Sequence, residues 1–462
     1  MEKTKKGKPV ILILLLSILA IVLGLGTYGY YNILSTDKIY EGVSVDEFDL
    51  SFLTKDEAAK LIMNKREQEL DEKNMVLTYG DKVFDINIRQ FDFKYDYDSA
   101  IDKAYSIGRE GNIISRIKEI ITTKKNGVKI NLNSSYNKDK IYEITESIAQ
   151  EIDMEMEEAQ FHFNNGNINI TDEVIGKKVK QEELAQLIET NIEDLSTIEI
   201  PVEIIYPTRT RELLSRINGV IAEYSTSFKG SNKERIENII ISSKALSNDI
   251  IMPGDIFSFN EMVGPREKKF GYKEANVIIK GEFTPDVGGG VCQTSTTLYN
   301  ALLLADVDII ERHHHSIPVK YVNIGQDAAV AYGFLDLKFK NNFDFPIYIH
   351  SRVVGDRIHI YIYGDRNAKD YSIKIESKIV ETIESQEEKV EDSTLAPGTK
   401  ELVQQGRTGY KVHTYKHKIK NGKVVDTQLI TKDFYKPRNF IYRVGPSISE
   451  EHEEEEAIEG NE

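Results

Sequence analysis

Cysteine and tryptophan are all but missing from this chain: its 462 residues include one cysteine and no tryptophan. A single thiol excludes an intramolecular disulfide framework, so Cys292 needs a purpose other than cross-linking. Positive charge is also in deficit. The formal net charge is -16, which gives no grip on a phosphate backbone and argues against nucleic acid as a partner. The length exceeds one ordinary hydrophobic core and implies about two to four domains. One segment lacks charge altogether, since Lys3, Lys5, Lys6 and Lys8 are followed by Pro9 to Thr36 with no ionised side chain. A bilayer requires roughly 20 apolar residues in a helix, which Val10 to Tyr31 supplies, with Tyr28, Tyr30 and Tyr31 suited to the far interface. The basic flank keeps the N-terminus cytoplasmic and puts the chain after Asp37 outside, in a single-pass arrangement. A cleaved signal peptide is the rival, disfavoured by the long apolar run and by Leu25-Gly26-Thr27 as a poor cleavage site.

Between Ile39 and Pro207 one order of elements occurs twice. In the first copy Val43 to Phe48 reads as a strand, and Thr54-x-x-Glu57 is a capping box opening a helix with Ala58, Leu61 and Ile62 on one face. Strands Val76 to Tyr79 and Val83 to Ile88 form a hairpin, and Asp98 caps a helix carrying Ile101, Ala104 and Tyr105. The second copy has a strand from Val128 to Leu132, a helix with Ile141, Ile144 and Ile148, a hairpin from Phe161 to Ile170, and a helix with Leu184, Leu187 and Ile188. This region resembles the peptidoglycan-binding domain upstream of catalytic domains in Gram-positive wall enzymes. A stalk that only spaces the next domain from the membrane is the plainer alternative.

Further along, Glu376 to Asp392 reads as a charged linker. Tyr410 to Ile419 and Val424 to Thr431 read as strands across the turn Asn421-Gly422-Lys423. With Gly406, Gly409 and the ending Tyr442-Arg443-Val444-Gly445, this stretch resembles a G5 domain, a small all-β module implicated in adhesion or amino-sugar binding, although a spacer would look the same. The acidic run Glu450 to Glu456 predicts a disordered tail.

The chemistry concentrates at Gly288-Gly289-Gly290-Val291-Cys292-Gln293. Leu298, Ala301, Leu302 and Ala305 follow at helical spacing, so a buried helix begins near the cysteine. Free N–H groups and the macrodipole at a helix start favour a thiolate. The glycines let backbone amides of Gly289, Gly290 and Val291 turn toward a developing oxyanion. The competing reading is a small buried hydrophobe, the usual fate of a free cysteine. Downstream, Glu311-Arg312-His313-His314-His315 lacks helical periodicity and reads as extended, with His313 and His315 on one face. Either can serve as the base that takes the thiol proton. Asp327 and Asp336 are the nearest candidates to orient the imidazole, and turn or capping roles suit both. A metal is not expected, because no second cysteine or nearby cluster completes a ligand set. No cofactor is implied.

Pro253-Gly254-Asp255, Phe257-Ser258-Phe259-Asn260, Val263-Gly264-Pro265-Arg266, the Gly288 to Asn300 segment, Glu311-Arg312-His313, His315-Ser316 and Asn341-Asn342 together resemble the VanW domain. His314 departs from that pattern, where proline is commoner; both flanking histidines remain. Members with this domain order are recognised as L,D-transpeptidases. The resemblance therefore implies that Cys292 attacks the third residue of a stem tetrapeptide, expels D-alanine and passes the acyl group to a neighbouring stem, giving a 3-3 cross-link. Asn260, Arg266, Gln293 and Arg312 are the candidate substrate contacts, a guanidinium being able to grip a carboxylate bidentately. A cysteine carboxypeptidase or endopeptidase, and a non-catalytic wall-binding scaffold, are the alternatives. The partners expected are peptidoglycan stem peptides and glycan, with the membrane reached through one N-terminal helix.

The expected fold is multi-domain α+β. Residues 1–8 form a cytoplasmic tail and 9–31 the transmembrane anchor. Residues 38–125 and 126–207 are the duplicated α+β repeats. A mixed α/β VanW catalytic domain with antiparallel strands occupies 208–366, those strands being Ala329 to Phe339, Ile347 to Val354 and Arg357 to Tyr363. Residues 370–446 hold the linker and the G5-like domain, and 447–462 the acidic tail.

Overall fold

A computed structural model describes residues 8–446 apart from 165, 248 and 280. The expected cytoplasmic tail, save Lys8, and the whole acidic tail lie outside the described residues. The chain divides into two compact units, Met1–Glu157 with Val174–Tyr206, and Glu158–Glu173 with Pro207–Glu462.

The first unit opens with the helix Lys8–Gly29. Among the described residues it is one helix long and apolar enough to cross a membrane, a test that a signal sequence also passes. Thr54 accepts from the Glu57 amide and Glu57 returns the bond, so the capping box starts the helix Lys55–Glu72 as its spacing predicts. The next helix, Tyr97–Ser106, is capped by Asp96 rather than Asp98. The two copies are not separate bodies. Val43–Val45 pairs in parallel with Val128–Ile130, and Ile198–Glu199 pairs in parallel with Asn74–Tyr79. One core holds Leu70, Met75 and Leu77 together with Ile141, Ile148, Leu184 and Ile188. A boundary between 125 and 126 therefore cuts through strand pairs. An additional helix, Ile113–Asn126, capped by Asn112, was not anticipated.

The second unit takes the hairpin Gln160–Asn164 and Asn167–Thr171 away from the expected second repeat. Its aromatic face explains this: Phe161 and Phe163 lie 4.9 and 5.1 Å from the Tyr348 ring. The central sheet orders Gly219–Ser227, Arg357–Gly364, Ile347–Val354 and Asp249–Ile251, antiparallel throughout. Ile358, Ile360 and Ile362 alternate onto its buried face. That face covers the helices Lys233–Leu246 and Val291–Ala305 in one hydrophobic core. Strands Ile347–Val354 and Arg357–Gly364 match their sequence pattern, whereas Ala329 to Phe339 is largely irregular and only Lys338–Lys340 is a strand. Asn260 explains the exception, its side-chain amide donating to the carbonyls of Ala331 (3.3 Å) and Leu335 (2.8 Å) and holding this stretch as a loop.

Two three-stranded sheets end the unit. One orders Ser372–Ile383, Gly409–Lys420 and Lys423–Tyr435; the other orders Glu387–Glu391, Phe440–Val444 and Lys400–Gln404. The segment read as a charged linker is thus strand. Its charged side chains lie largely in solvent, and backbone pairing rather than burial defines it.

Candidate active site

Glycine shapes the start of the cysteine helix. Gly290 caps it at φ +110°, and a Cβ there would lie 2.9 Å from Arg235 Cγ. The helix Val291–Ala305 is buried on all sides, so its polar residues are bonded internally: Thr297 with Thr226 at 2.8 Å, Thr294 with Ser242 at 2.7 Å, and Asn300 to the Gln326 carbonyl at 2.8 Å. This fixes Cys292 in the first turn, where unpaired amides and the helix dipole favour negative charge. The Val291 amide is turned onto the Gly288 carbonyl (3.1 Å). Among the described residues, the amides of Gly289, Gly290 and Cys292 have no hydrogen-bond partner.

His315 meets this thiol. Its backbone N–H donates to Asp327 Oδ2 at 2.6 Å, and its Nδ1 bonds the same oxygen at 2.6 Å, which leaves Nε2 to face the sulfur. Burial pushes the Cys292 thiol up, but the hydrogen bond and charge of His315, with help from Arg266, outweigh it and the net shift is downward. Burial likewise pulls His315 down, and Asp327 and the thiol overcome it, so that it is pushed up to about 9. Asp327, 1% exposed, is held down at about 2 against its burial by His315 and the Arg312 charge. The three shifts favour one charge pattern, in which an imidazolium lies between the Asp327 carboxylate and a thiol biased toward its anion. In the neutral thiol form the S–H donates to the Val330 carbonyl at 3.4 Å.

The other histidines point elsewhere. His313 bonds Glu311 at 3.1 Å and is half exposed, and His314 Nδ1 bonds the His315 carbonyl. The alternation that puts His313 and His315 on one face stops here, because Asp327 captures both the amide and the ring of His315. Asp336 accepts from Ser258 Oγ and from the Asn260 and Leu337 amides, a capping role.

Arg266 is unlike every other arginine near the site. Both terminal nitrogens are buried without a hydrogen-bond partner, over the rings of Phe259 (5.5 Å) and Tyr332 (5.8 Å). Burial pulls its pKa down, and Tyr272 and Cys292 are the nearest charge partners. The Tyr272 hydroxyl and Asn260 Oδ1 are also buried and unpartnered. Gln293 and Arg312 do not reach this open side. Gln293 bonds Thr226, the Ser227 carbonyl and Arg235. Arg312 is 6% exposed and spans Asp433 (2.6 Å) and the Asp327 carbonyl (2.6 Å). Both side chains, expected as substrate contacts, are bonded within the fold.

Sequence reasoning missed Tyr321, Arg235 and Tyr435. Tyr321 is pushed up by burial and by the Cys292 charge, and bonds Thr296. Tyr435 donates to Asp327 Oδ1 at 2.5 Å. Nothing in their local sequence marks them, since they arrive from other elements.

Residues 234–363 match the family model described as VanW like protein. The chain carries a VanW-like domain. Cys292, His315 and Asp327 all fall inside it. Residues 84–199 match the "Putative peptidoglycan binding domain" and 374–447 the G5 domain. The chain is 43% identical over 170 residues to the uncharacterized protein YoaR of Bacillus subtilis (strain 168), covering 37% of this chain and 56% of that relative, little more than half its length. It is 27% identical over 201 residues to the vancomycin B-type resistance protein VanW of Enterococcus faecalis (strain ATCC 700802 / V583), covering 41% of this chain and 73% of that one. Two solved G5 structures are also similar to it. The HP0197-G5 crystal structure is 30% identical, covering 17% of this chain and all of that one, TM-score 0.13. The IgA1 protease G5 domain is 23% identical, covering 17% and 96%, TM-score 0.15.

Proposed function

We propose that the VanW-like domain is a cysteine acyltransferase acting on peptidoglycan stem peptides, an L,D-transpeptidase held at the outer face of the membrane by the helix Lys8–Gly29. One observation carries this reading: a thiol at a helix start is electrostatically coupled to an imidazole whose Nδ1 is fixed by a buried carboxylate. That set of roles, rather than any sequence position, defines a nucleophile, base and orienter.

The Cys292 thiolate attacks the carbonyl carbon of the third stem residue. The Cys292 and Gly290 amides are free donors for the oxyanion. As the tetrahedral intermediate collapses, the C–N bond to D-alanine breaks and His315 gives its proton to the leaving amine. A thioester remains. An amine of a neighbouring stem then attacks it, His315 takes the amine proton, and the C–S bond breaks to return the thiolate and leave a 3-3 cross-link. Arg266 supplies the unpaired guanidinium that a substrate carboxylate would satisfy.

The test is to incubate the full-length protein in detergent with tetrapeptide muropeptides. Mass spectrometry should find an acyl adduct on Cys292 and dimers with 3-3 linkage, both absent from Cys292→Ala. Shortened monomers without dimers would redirect the reading to hydrolysis. Unchanged turnover in Cys292→Ala would end it.

A further inference from the structure

The C-terminal β-module reaches into the centre just described. Two residues of its strands Gly409–Lys420 and Lys423–Tyr435 touch the segment that holds the triad carboxylate, and a third reaches it through Arg312. Tyr435, 1% exposed, donates to Asp327 Oδ1 at 2.5 Å and accepts from the Gly325 amide at 3.0 Å. Asp433, 5% exposed, bonds Arg312 at 2.6 Å, and Arg312 in turn lies 3.4 Å from Asp327 Oδ1. Thr414 donates to the Gly325 carbonyl at 3.0 Å. Gly325, at φ +84°, permits this approach, since a Cβ there would sit 2.7 Å from Thr414 and from Val412.

The consequence follows from where each Asp327 oxygen goes. Oδ2 is used on the amide and ring of His315. Oδ1 would be a buried anionic oxygen, and its donors are Tyr435 and the Arg312 side chain, which is itself held by Asp433. A buried carboxylate with one oxygen unsatisfied would rotate or take up a proton, and in either case the His315 ring would lose its fixed partner.

We propose that Tyr435, supported by Asp433 through Arg312, is a positioning residue of the acyl-transfer centre, so that the G5 module is part of the catalytic apparatus as well as a wall-associated domain. This rests on the reading of Cys292, His315 and Asp327 as the reacting groups. The module supplies the outer end of the hydrogen-bond chain that runs from Tyr435 to Asp327 to His315, the imidazole coupled to Cys292. No side chain of the VanW-like domain other than Arg312 reaches Oδ1 among the described residues.

The test uses full-length protein and the fact that Cys292 is the one cysteine in the chain, so alkylation by iodoacetamide reports this thiolate alone. Tyr435→Phe should lower kcat about tenfold with KM unchanged and slow alkylation at neutral pH about threefold or more, as loss of an outer-shell partner does elsewhere. Asp433→Asn should move both quantities in the same direction, and it decides the matter if Tyr435→Phe fails to fold. Lys416→Ala breaks a different contact of the same module, the 2.6 Å pair with Asp306, and should leave kcat and alkylation at wild-type values. The inference is overturned if Tyr435→Phe keeps wild-type kcat and alkylation, or loses no more than Lys416→Ala does. Cys292→Ala keeps the two readings apart. If it remains active, the acyltransferase reading has failed; if it is dead while Tyr435→Phe is unimpaired, only the positioning role has.

Discussion

A sulfur is a useful nucleophile only as an anion, and two features of this chain supply that state from opposite directions. The helix start offers unpaired amides, and His315 offers a proton acceptor whose own charge is secured by Asp327. With the thiol shifted downward and the imidazole pushed up to about 9, kcat/KM should rise as Cys292 ionises and fall as pH passes about 9. The fall follows from sign: above that value His315 is neutral and has no proton for the leaving amine. Measuring kcat/KM across the alkaline range checks it, and activity that stays level well beyond that point counts against the pair. Arg266→Lys is the second test at this scale. It keeps the charge but loses the planar fork, so KM should rise roughly tenfold with a smaller change in kcat; an unchanged KM would remove Arg266 from substrate binding. The cysteine, the histidine run and Asp327 could be picked out of the sequence because each is a chemically unusual residue in an unusual setting. The direction of a side chain was not legible. Arg312 and Gln293 have the right chemistry for a carboxylate or amide contact, yet both are spent inside the fold. Choosing between His313 and His315 likewise needed Asp327, whose carboxylate comes from a later loop.

At the level of elements, the cysteine helix was the most legible part because a buried helix leaves a periodic mark that a glycine run then interrupts. That interruption makes a quantitative prediction. Gly290→Ala must tolerate φ +110° and a Cβ 2.9 Å from Arg235 Cγ and 3.0 Å from the Arg235 carbonyl oxygen, whereas Gly230→Ala faces φ +81° with nothing within 4 Å. Backbone strain of about 1 kcal/mol is common to both. Only Gly290→Ala adds the collision, so its loss of stability in denaturant titration should exceed that of Gly230→Ala by about 1–3 kcal/mol. Equal losses would mean that Arg235 yields without cost. The strands of the C-terminal module were harder to read from sequence. Glu387–Glu391 is exposed along its whole length, so no apolar alternation announces it, and its pairing with Phe440–Val444 comes from distant sequence. Ala329 to Phe339 failed in the opposite way: its apolar residues suggest a strand, but Asn260 and Asp336 hold it as a loop beside the site.

For the molecule as a whole, the sequence order and the packing order disagree at one place. The hairpin Gln160–Asn164 and Asn167–Thr171 lies in the middle of the duplicated region, yet its aromatic face belongs to the unit that carries Cys292. Phe163 meets the rings of Tyr348 (5.1 Å), His350 (4.8 Å) and Tyr363 (5.1 Å), all on the central sheet. Repetition in a sequence records an order of elements and says nothing of which core each element joins, so this exchange was not legible. It can be measured. Two units with separate cores should unfold as two transitions, and the exposure of Cys292 to alkylation marks the one containing the second unit. Phe163→Ala removes about 2–4 kcal/mol of packing from the second unit, so it should lower the transition that exposes Cys292 and leave the other in place. Were the hairpin instead an ornament of the repeat region, the same substitution would shift the transition in which the thiol stays protected.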